Sequence, residues 1–249
     1  MIIVSHGYSA TTFEWEEFRE FTDESGEDVL ISRVLLGGHG GNYEDFRNSG
    51  WRDWQSAITK EYNRLVEAGY TNISLLGSST SGVLFLQLLA EDFFREAPPH
   101  QILLVDPIVI PSNKTLSLVN IVGPMLGYIE VDQSAAEDVY SYHFRPEETL
   151  RELQKLLNIV RKDLEDGIPL PQETSLKMYK SKQDPTADPV SAVLIYKGVR
   201  TNAGGKIDVE MVDSNLHVYT NLALRDHTQI DRENQITTFQ DILERVTEE

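Results

Sequence analysis

Short apolar runs alternate along this chain with longer stretches in which apolar residues return every third or fourth position. The runs predict strands at 1–5, 29–36, 72–77, 101–106, 176–181 and 207–212, and the periodic stretches predict helices at 13–24, 52–68, 80–94, 147–165, 190–197 and 231–246. Strands separated by helices imply βαβ units and a parallel sheet. In the first helix Phe13, Phe18 and Phe21 mark the apolar side, Thr12 is placed to cap it, and Glu14, Glu16, Glu17 and Glu20 read as a solvated acidic face. The helix at 147–165 buries Leu150, Leu153, Leu156, Leu157, Val160 and Leu164; the last buries Ile236, Phe239, Ile242, Leu243 and Val246. Residues 112–145 lose the alternation and mix an apolar piece, Leu116 to Leu126, with Tyr128, Tyr140, Tyr142, His143 and Phe144. That segment reads as an insertion into a single domain spanning 1–249, with no repeat or linker elsewhere.

Two Gly-bearing turns stand out between these elements. Gly37-Gly38-His39-Gly40-Gly41-Asn42 is a loop whose path calls for positive φ, and Gly69 is placed as a left-handed helix cap. The first is no phosphate cradle, because it lacks both the Lys-Ser/Thr ending of a P-loop and the spacing of a dinucleotide fingerprint.

The segment between the third strand and its helix carries the chemistry. Gly77-Ser78-Ser79-Thr80-Ser81 is a G-x-S-x-G nucleophile elbow with Ser for the last Gly, in the strand-turn-helix setting the motif requires. Ser79 is the candidate nucleophile; Ser78, Thr80 and Ser81 are rival hydroxyls read as turn and cap residues. A serine needs a histidine base and a carboxylate that orients it. Asp184, after the fifth strand, and His217, after the sixth, complete a Ser…Asp…His order that suits this elbow. Asp188 and Asp106 compete for the acid position, and His227 for the base; Asp188 also reads as a helix cap, Asp106 as a strand end and His227 as part of a polar loop. His6 and His39 read as loop-ordering residues, and no set of residues with metal-ligand spacing surrounds them.

Composition narrows the partners. A formal charge of −18 argues against nucleic acid and favours neutral substrates, and zero cysteines exclude disulfides, a thiol nucleophile and thiolate metal sites. No apolar run approaches the roughly 20 residues that span a bilayer. With no basic, apolar signal segment after Met1, a cytoplasmic protein, or one supplied in mature form, is expected.

Four pieces resemble the α/β-hydrolase superfamily, most closely its small bacterial carboxylesterases and monoacylglycerol lipases. They are Ile2-Ile3-Val4-Ser5-His6-Gly7-Tyr8, similar to the family's His-Gly strand end; Gly37 to Gly41 with Trp51-Arg52-Asp53-Trp54; Lys182 to Pro189, similar to the loop holding the acid; and Ser214-Asn215-Leu216-His217-Val218, similar to the segment holding the base. The resemblance implies an α/β-hydrolase fold, a mainly parallel sheet of about six strands flanked by helices, with residues 112–145 as a small cap. It assigns the acid to Asp184 and an oxyanion hole to the backbone N–H groups of Tyr8 and Thr80. Ser81, where the motif wants Gly, and a chain that opens on the oxyanion strand depart from the pattern; the second implies a shorter sheet edge that a partner, including a second copy, could cover.

The function so implied is a serine carboxylic-ester hydrolase acting on neutral esters of short to medium acyl chain, monoacylglycerols included, without metal or organic cofactor. A thioesterase or carbon–carbon bond hydrolase would use the same triad. A non-catalytic ligand-binding protein of the same fold is the alternative from another class.

Overall fold

The computed structural model describes residues 1–112, 128–130, 139–201 and 204–248. Among these, six parallel strands form the central sheet: β1 (Ile2–Ser5), β2 (Ile31–Val34), β3 (Ser74–Ser78), β4 (Gln101–Val105), β5 (Ser175–Ser181) and β6 (Asp208–Val212). Their order is β6-β5-β4-β3-β1-β2. The inner strands are apolar on both faces, as a parallel sheet covered by helices on each side requires. Ile3, Leu75, Ile102, Leu104 and Met178 point to one face, and Ile2, Val4, Leu76, Leu103, Val105 and Tyr179 to the other.

The first face is covered by α3 (Trp51–Glu67), α4 (Thr80–Ala90), α5 (Glu147–Asp166) and α6 (Val190–Gly198), which follow the short α2 (Tyr43–Arg47) in the chain. The second face is covered by α1 (Glu16–Ser25) and α7 (Gln229–Thr247). Every residue of α4 from Thr80 to Leu89 is buried, so the helix behind the candidate nucleophile is the centre of its layer. Register sets Ser5 beside Gly77, Ser78 beside Val105, and Val105 beside Tyr179, which brings the C-terminal ends of the middle strands level. Candidate chemistry collects at that edge, as in open α/β sheets generally.

Several expectations shift. Thr11, not Thr12, caps the first helix, accepting from the Phe13 N–H, and a 3₁₀ turn over Thr12–Trp15 precedes α1. That turn rotates Glu14 inward, so the acidic run is not one solvated face. Glu17 also turns in, accepting from the N–H groups of Leu222 and Ala223 and pairing with Arg232. Phe13 leaves the core and stacks on Tyr140, with ring centroids 3.8 Å apart. The edge strand β2 is shorter than the apolar run, because Leu30 and Leu35 are exposed at its two ends. Helix α4 stops at Ala90, and Asp92 beyond it takes a positive φ of 58°. In the last helix Ile236 is exposed while Phe239, Ile242, Leu243 and Val246 are buried.

Most of the insertion expected at 112–145 lies outside the described residues. Of the rest, Tyr128–Glu130 pairs antiparallel with Phe144–Pro146. Tyr142 fastens the segment's end to the Gly-rich loop: its N–H donates to the Ser9 carbonyl at 2.9 Å, its hydroxyl donates to Gly38 and Gly41 carbonyls, and its ring stacks on Phe46. In that loop only Gly38 and Gly40 use positive φ; Gly37 is needed for room, since a Cβ there would lie 2.6 Å from the Asp53 carbonyl oxygen. No helix among the described residues is long and apolar enough to cross a membrane.

Candidate active site

The chain leaves β3 and enters α4 through Ser79, whose φ of 47° and ψ of −112° lie outside the regions a non-glycine residue prefers. Such a conformation costs of order 1–3 kcal/mol and persists only where its surroundings enforce it. Here the Ser79 N–H donates to the Val105 carbonyl at 2.9 Å, and Gly77 lets the Phe85 ring come within 2.5 Å of where a Cβ would sit. The turn presents the Ser79 hydroxyl at the sheet edge, with the first turn of α4 behind it.

The rival hydroxyls face elsewhere. Ser78 Oγ donates to Glu14, and Ser81 Oγ, fully buried, donates to the His6 carbonyl and lies 2.8 Å from Ser5 Oγ. A serine therefore fits where the motif has glycine, because the end of β1 offers its hydroxyl an acceptor. Thr80 Oγ1 is buried without a partner among the described residues.

His217 Nε2 lies 2.9 Å from Ser79 Oγ, and His217 Nδ1 lies 2.9 Å from Asp184 Oδ2. An ionised carboxylate can only accept, so Nδ1 carries the proton and Nε2 is left to accept from the serine. The ring is presented by a tight turn after β6. Ser214 Oγ accepts from the Leu216 N–H at 3.1 Å, Val218 takes a positive φ of 53°, and Arg225 donates to the His217 carbonyl at 2.6 Å. Asp184 Oδ1 accepts from the N–H groups of Thr186 and Ala187 at 2.7 and 2.9 Å. Burial alone would push this carboxyl up; the hydrogen bond and charge of His217, with the Lys180 ammonium, outweigh it and hold the group down at about 2.

Asp106, the rival acid, supports the site from behind. It is fully buried at the end of β4 and accepts from the N–H and hydroxyl of Ser181, the N–H of Val218 and the Lys180 ammonium. Asp106, Asp184 and His217 bring donor atoms within 4.8 Å of one another, a spacing that could hold a metal ion. The ammonium of Lys180, bonded to both carboxylates, already supplies the cation. Asp188 accepts locally from the Val190 N–H, and His227 is exposed and bonds the Arg225 carbonyl.

The turn after β1 closes the other side. Gly7 lies against the elbow, where a Cβ would come 3.1 Å from Ser79 Cβ and 3.7 Å from its Oγ. His6 Nδ1–H donates to the Gly7 carbonyl and Nε2 accepts from the Leu36 N–H, while His39 Nε2 accepts from the Ser9 N–H. Burial pushes His6 down to about 4 and His39 well below its usual range, favouring the neutral rings these bonds need. Tyr8 packs on Phe46 and Trp54 and bonds Thr149 through its hydroxyl. Glu14 accepts from the Gly7 N–H at 2.9 Å, and burial pushes its carboxyl up despite its bonds to Ser78 and Gly7.

Glu14, Lys180 and Arg225 are site neighbours that the sequence reading did not single out. For Lys180 a signal existed: a lysine within a strand apolar on both faces demands a buried carboxylate. For Glu14 none did, because its direction depends on the 3₁₀ turn.

No family model matches the chain. It is 24% identical over 208 residues to a thermostable monoacylglycerol lipase from Bacillus sp. (strain H-257), covering 80% of this chain and 76% of the other. Among solved structures, one of the metagenome-derived lipolytic enzymes LipS and LipT superposes with a TM-score of 0.77 at 18% identity, covering 98% of this chain and 92% of that one. The monoacylglycerol lipase of Paleococcus ferrophilus superposes with a TM-score of 0.71 at 11% identity, over 98% and 94%. The fold of this chain is that of the α/β-hydrolases.

Proposed function

We propose that this chain of α/β-hydrolase fold is a serine carboxylic-ester hydrolase, of carboxylesterase or lipase type, cleaving neutral esters of short to medium acyl chain through an acyl-enzyme on Ser79. The observation that carries the reading is the pair of 2.9 Å contacts in series, Ser79 to His217 and His217 to Asp184, at the strand ends of one sheet. The similarity to proteins named monoacylglycerol lipase and lipolytic enzyme supports the substrate class.

In the first half-reaction His217 Nε2 takes the Ser79 proton as Oγ attacks the ester carbonyl carbon, and Asp184 stabilises the imidazolium. The displaced electron pair settles on the carbonyl oxygen, which the N–H groups of Tyr8 and Thr80 hold; each such donor contributes roughly 10²–10³ in rate. Collapse expels the alcohol, which leaves with the proton from His217. Water then attacks the acyl-enzyme by the same route and restores Ser79. Residues 112–145 serve as a cap over the acyl chain of a single domain spanning 1–249.

The test is covalent labelling by a fluorophosphonate with the modified peptide mapped. Label on Ser79, and its loss together with p-nitrophenyl butyrate turnover in Ser79→Ala, is the expected result; wild-type turnover by Ser79→Ala refutes the reading. A chain-length series of esters set against acyl-thioesters then defines the acyl group.

A further inference from the structure

The cation beside the acid is the least expected feature of the site. Lys180 is 0% exposed, and its ammonium donates to Asp184 Oδ2, the same oxygen that accepts from His217 Nδ1. On its other side it donates to Asp106 Oδ1 at 2.9 Å. Asp106 is itself held by Ser181 and, through the Val218 N–H, reaches the residue after His217. Two carboxylates, one ammonium and the imidazole thus form one continuous hydrogen-bonded cluster, with Lys180 and both carboxylates buried. A charge taken out of water survives only when paired, so none of these groups can be considered alone.

We propose that Lys180 is a positioning residue of the triad: its ammonium shares the oxygen that holds His217, fixing Asp184 and tempering the negative charge it presents to the ring, while Asp106 holds the ammonium in turn. This rests on the serine-hydrolase reading above. The chemical sense is a compromise in basicity. A bare buried carboxylate would hold the imidazolium so firmly that less of the neutral ring remained to take the Ser79 proton, and the cation offsets that pull. The other charged or titratable neighbours are Arg225 on the His217 carbonyl, Glu14 across the elbow, and Tyr219 beside Asp106. Lys180 bonds the Asp184 oxygen that holds His217, and Asp106 bonds Lys180.

The experiment follows the second-order rate of inactivation by a fluorophosphonate against pH in wild type, Lys180→Met, Asp106→Asn and the double variant. Removing the cation leaves the imidazolium facing an uncompensated carboxylate, so Lys180→Met moves the acid limb up by about one pH unit, a roughly tenfold loss of rate on that limb. Removing the charge of Asp106 strengthens the ammonium's influence, so Asp106→Asn moves the limb down. The double variant, one charge of each sign removed, returns it toward wild type. Lower amplitudes with unmoved limbs mean a scaffold alone and overturn the proposal. If Lys180→Met yields no folded protein, Asp106→Asn decides by itself: a downward shift supports the proposal, and an unmoved or upward limb overturns it. A wild type that takes no label at Ser79 defeats the serine-hydrolase reading, whereas a labelled wild type with unmoved limbs defeats only the role of Lys180.

Discussion

The two sides of the candidate site are held together by opposite electrostatic means. On the side of β4, β5 and β6, full charges are buried and paired, Asp106 with Lys180 and Lys180 with Asp184. On the side of β1, burial works toward removing charge: His6 and His39 are pushed down toward neutral rings and Glu14 is pushed up toward its protonated form. The difference matches the proposed division of labour. In the proposed mechanism a proton arrives and leaves at His217, which calls for a fixed counter-charge. In the same mechanism a negative charge develops beside the turn after β1, and an ionised Glu14 bonded to Gly7 would oppose it.

The sharpest way to break the charged side is Asp184→Asn. It leaves the shape intact but offers an amide N–H to His217 Nδ1, which moves the ring proton to Nε2 and leaves that nitrogen unable to accept from Ser79, so kcat is expected to fall roughly 10³–10⁴-fold in a p-nitrophenyl butyrate assay. On the neutral side Glu14→Ala removes the partner of the Gly7 N–H and loosens the turn proposed to hold the oxyanion, with an expected loss of roughly 10²-fold in kcat. Glu14→Gln sharpens the contrast. It keeps an acceptor for Gly7 but cannot ionise, so its kcat/KM should hold at high pH where the wild type declines; coincident alkaline limbs would show that the Glu14 charge has no part in catalysis.

Stability carries a smaller signature of the same contrast. The folded Asp184 carboxyl sits below its ordinary value of 3.8, so its contribution is fully present above that pH and is lost as pH falls through about 2. Linkage makes this roughly 2 kcal/mol, so urea denaturation should show wild type and Asp184→Asn converging in stability on acidification across that window. The smallest effect is expected at Ser81. Ser81→Ala withdraws the donor from the buried His6 carbonyl, which costs about 1 kcal/mol and lowers Tm by roughly 2–4 °C in thermal unfolding of a chain this size.

The candidate triad was the most legible part of the site in sequence. Ser79, Asp184 and His217 each follow a strand closely, and a parallel sheet delivers such residues to one edge whatever the helices do in detail. What supports them was legible only in part. Lys180, a cation within a buried strand, called for a carboxylate without saying which, whereas Glu14 carries the residue type of a solvated surface, and only the third dimension shows that it ends against Gly7. The first helix shows how little separates the readings: moving the cap from Thr12 to Thr11 and tightening one turn suffices to bring Glu14 inside.

The hydroxyl of Ser81 carries a lesson for pattern searches. What the fifth elbow position tolerates is decided by a neighbouring strand, here the His6 carbonyl and the Ser5 hydroxyl, and not by the elbow itself. A signature demanding glycine at that position passes over this site, whereas one written jointly over the Ser-His-Gly strand end and the elbow admits it. Substitutions at Ser5 and Ser81 should therefore be weighed as one two-residue character when diverged chains of this fold are sorted.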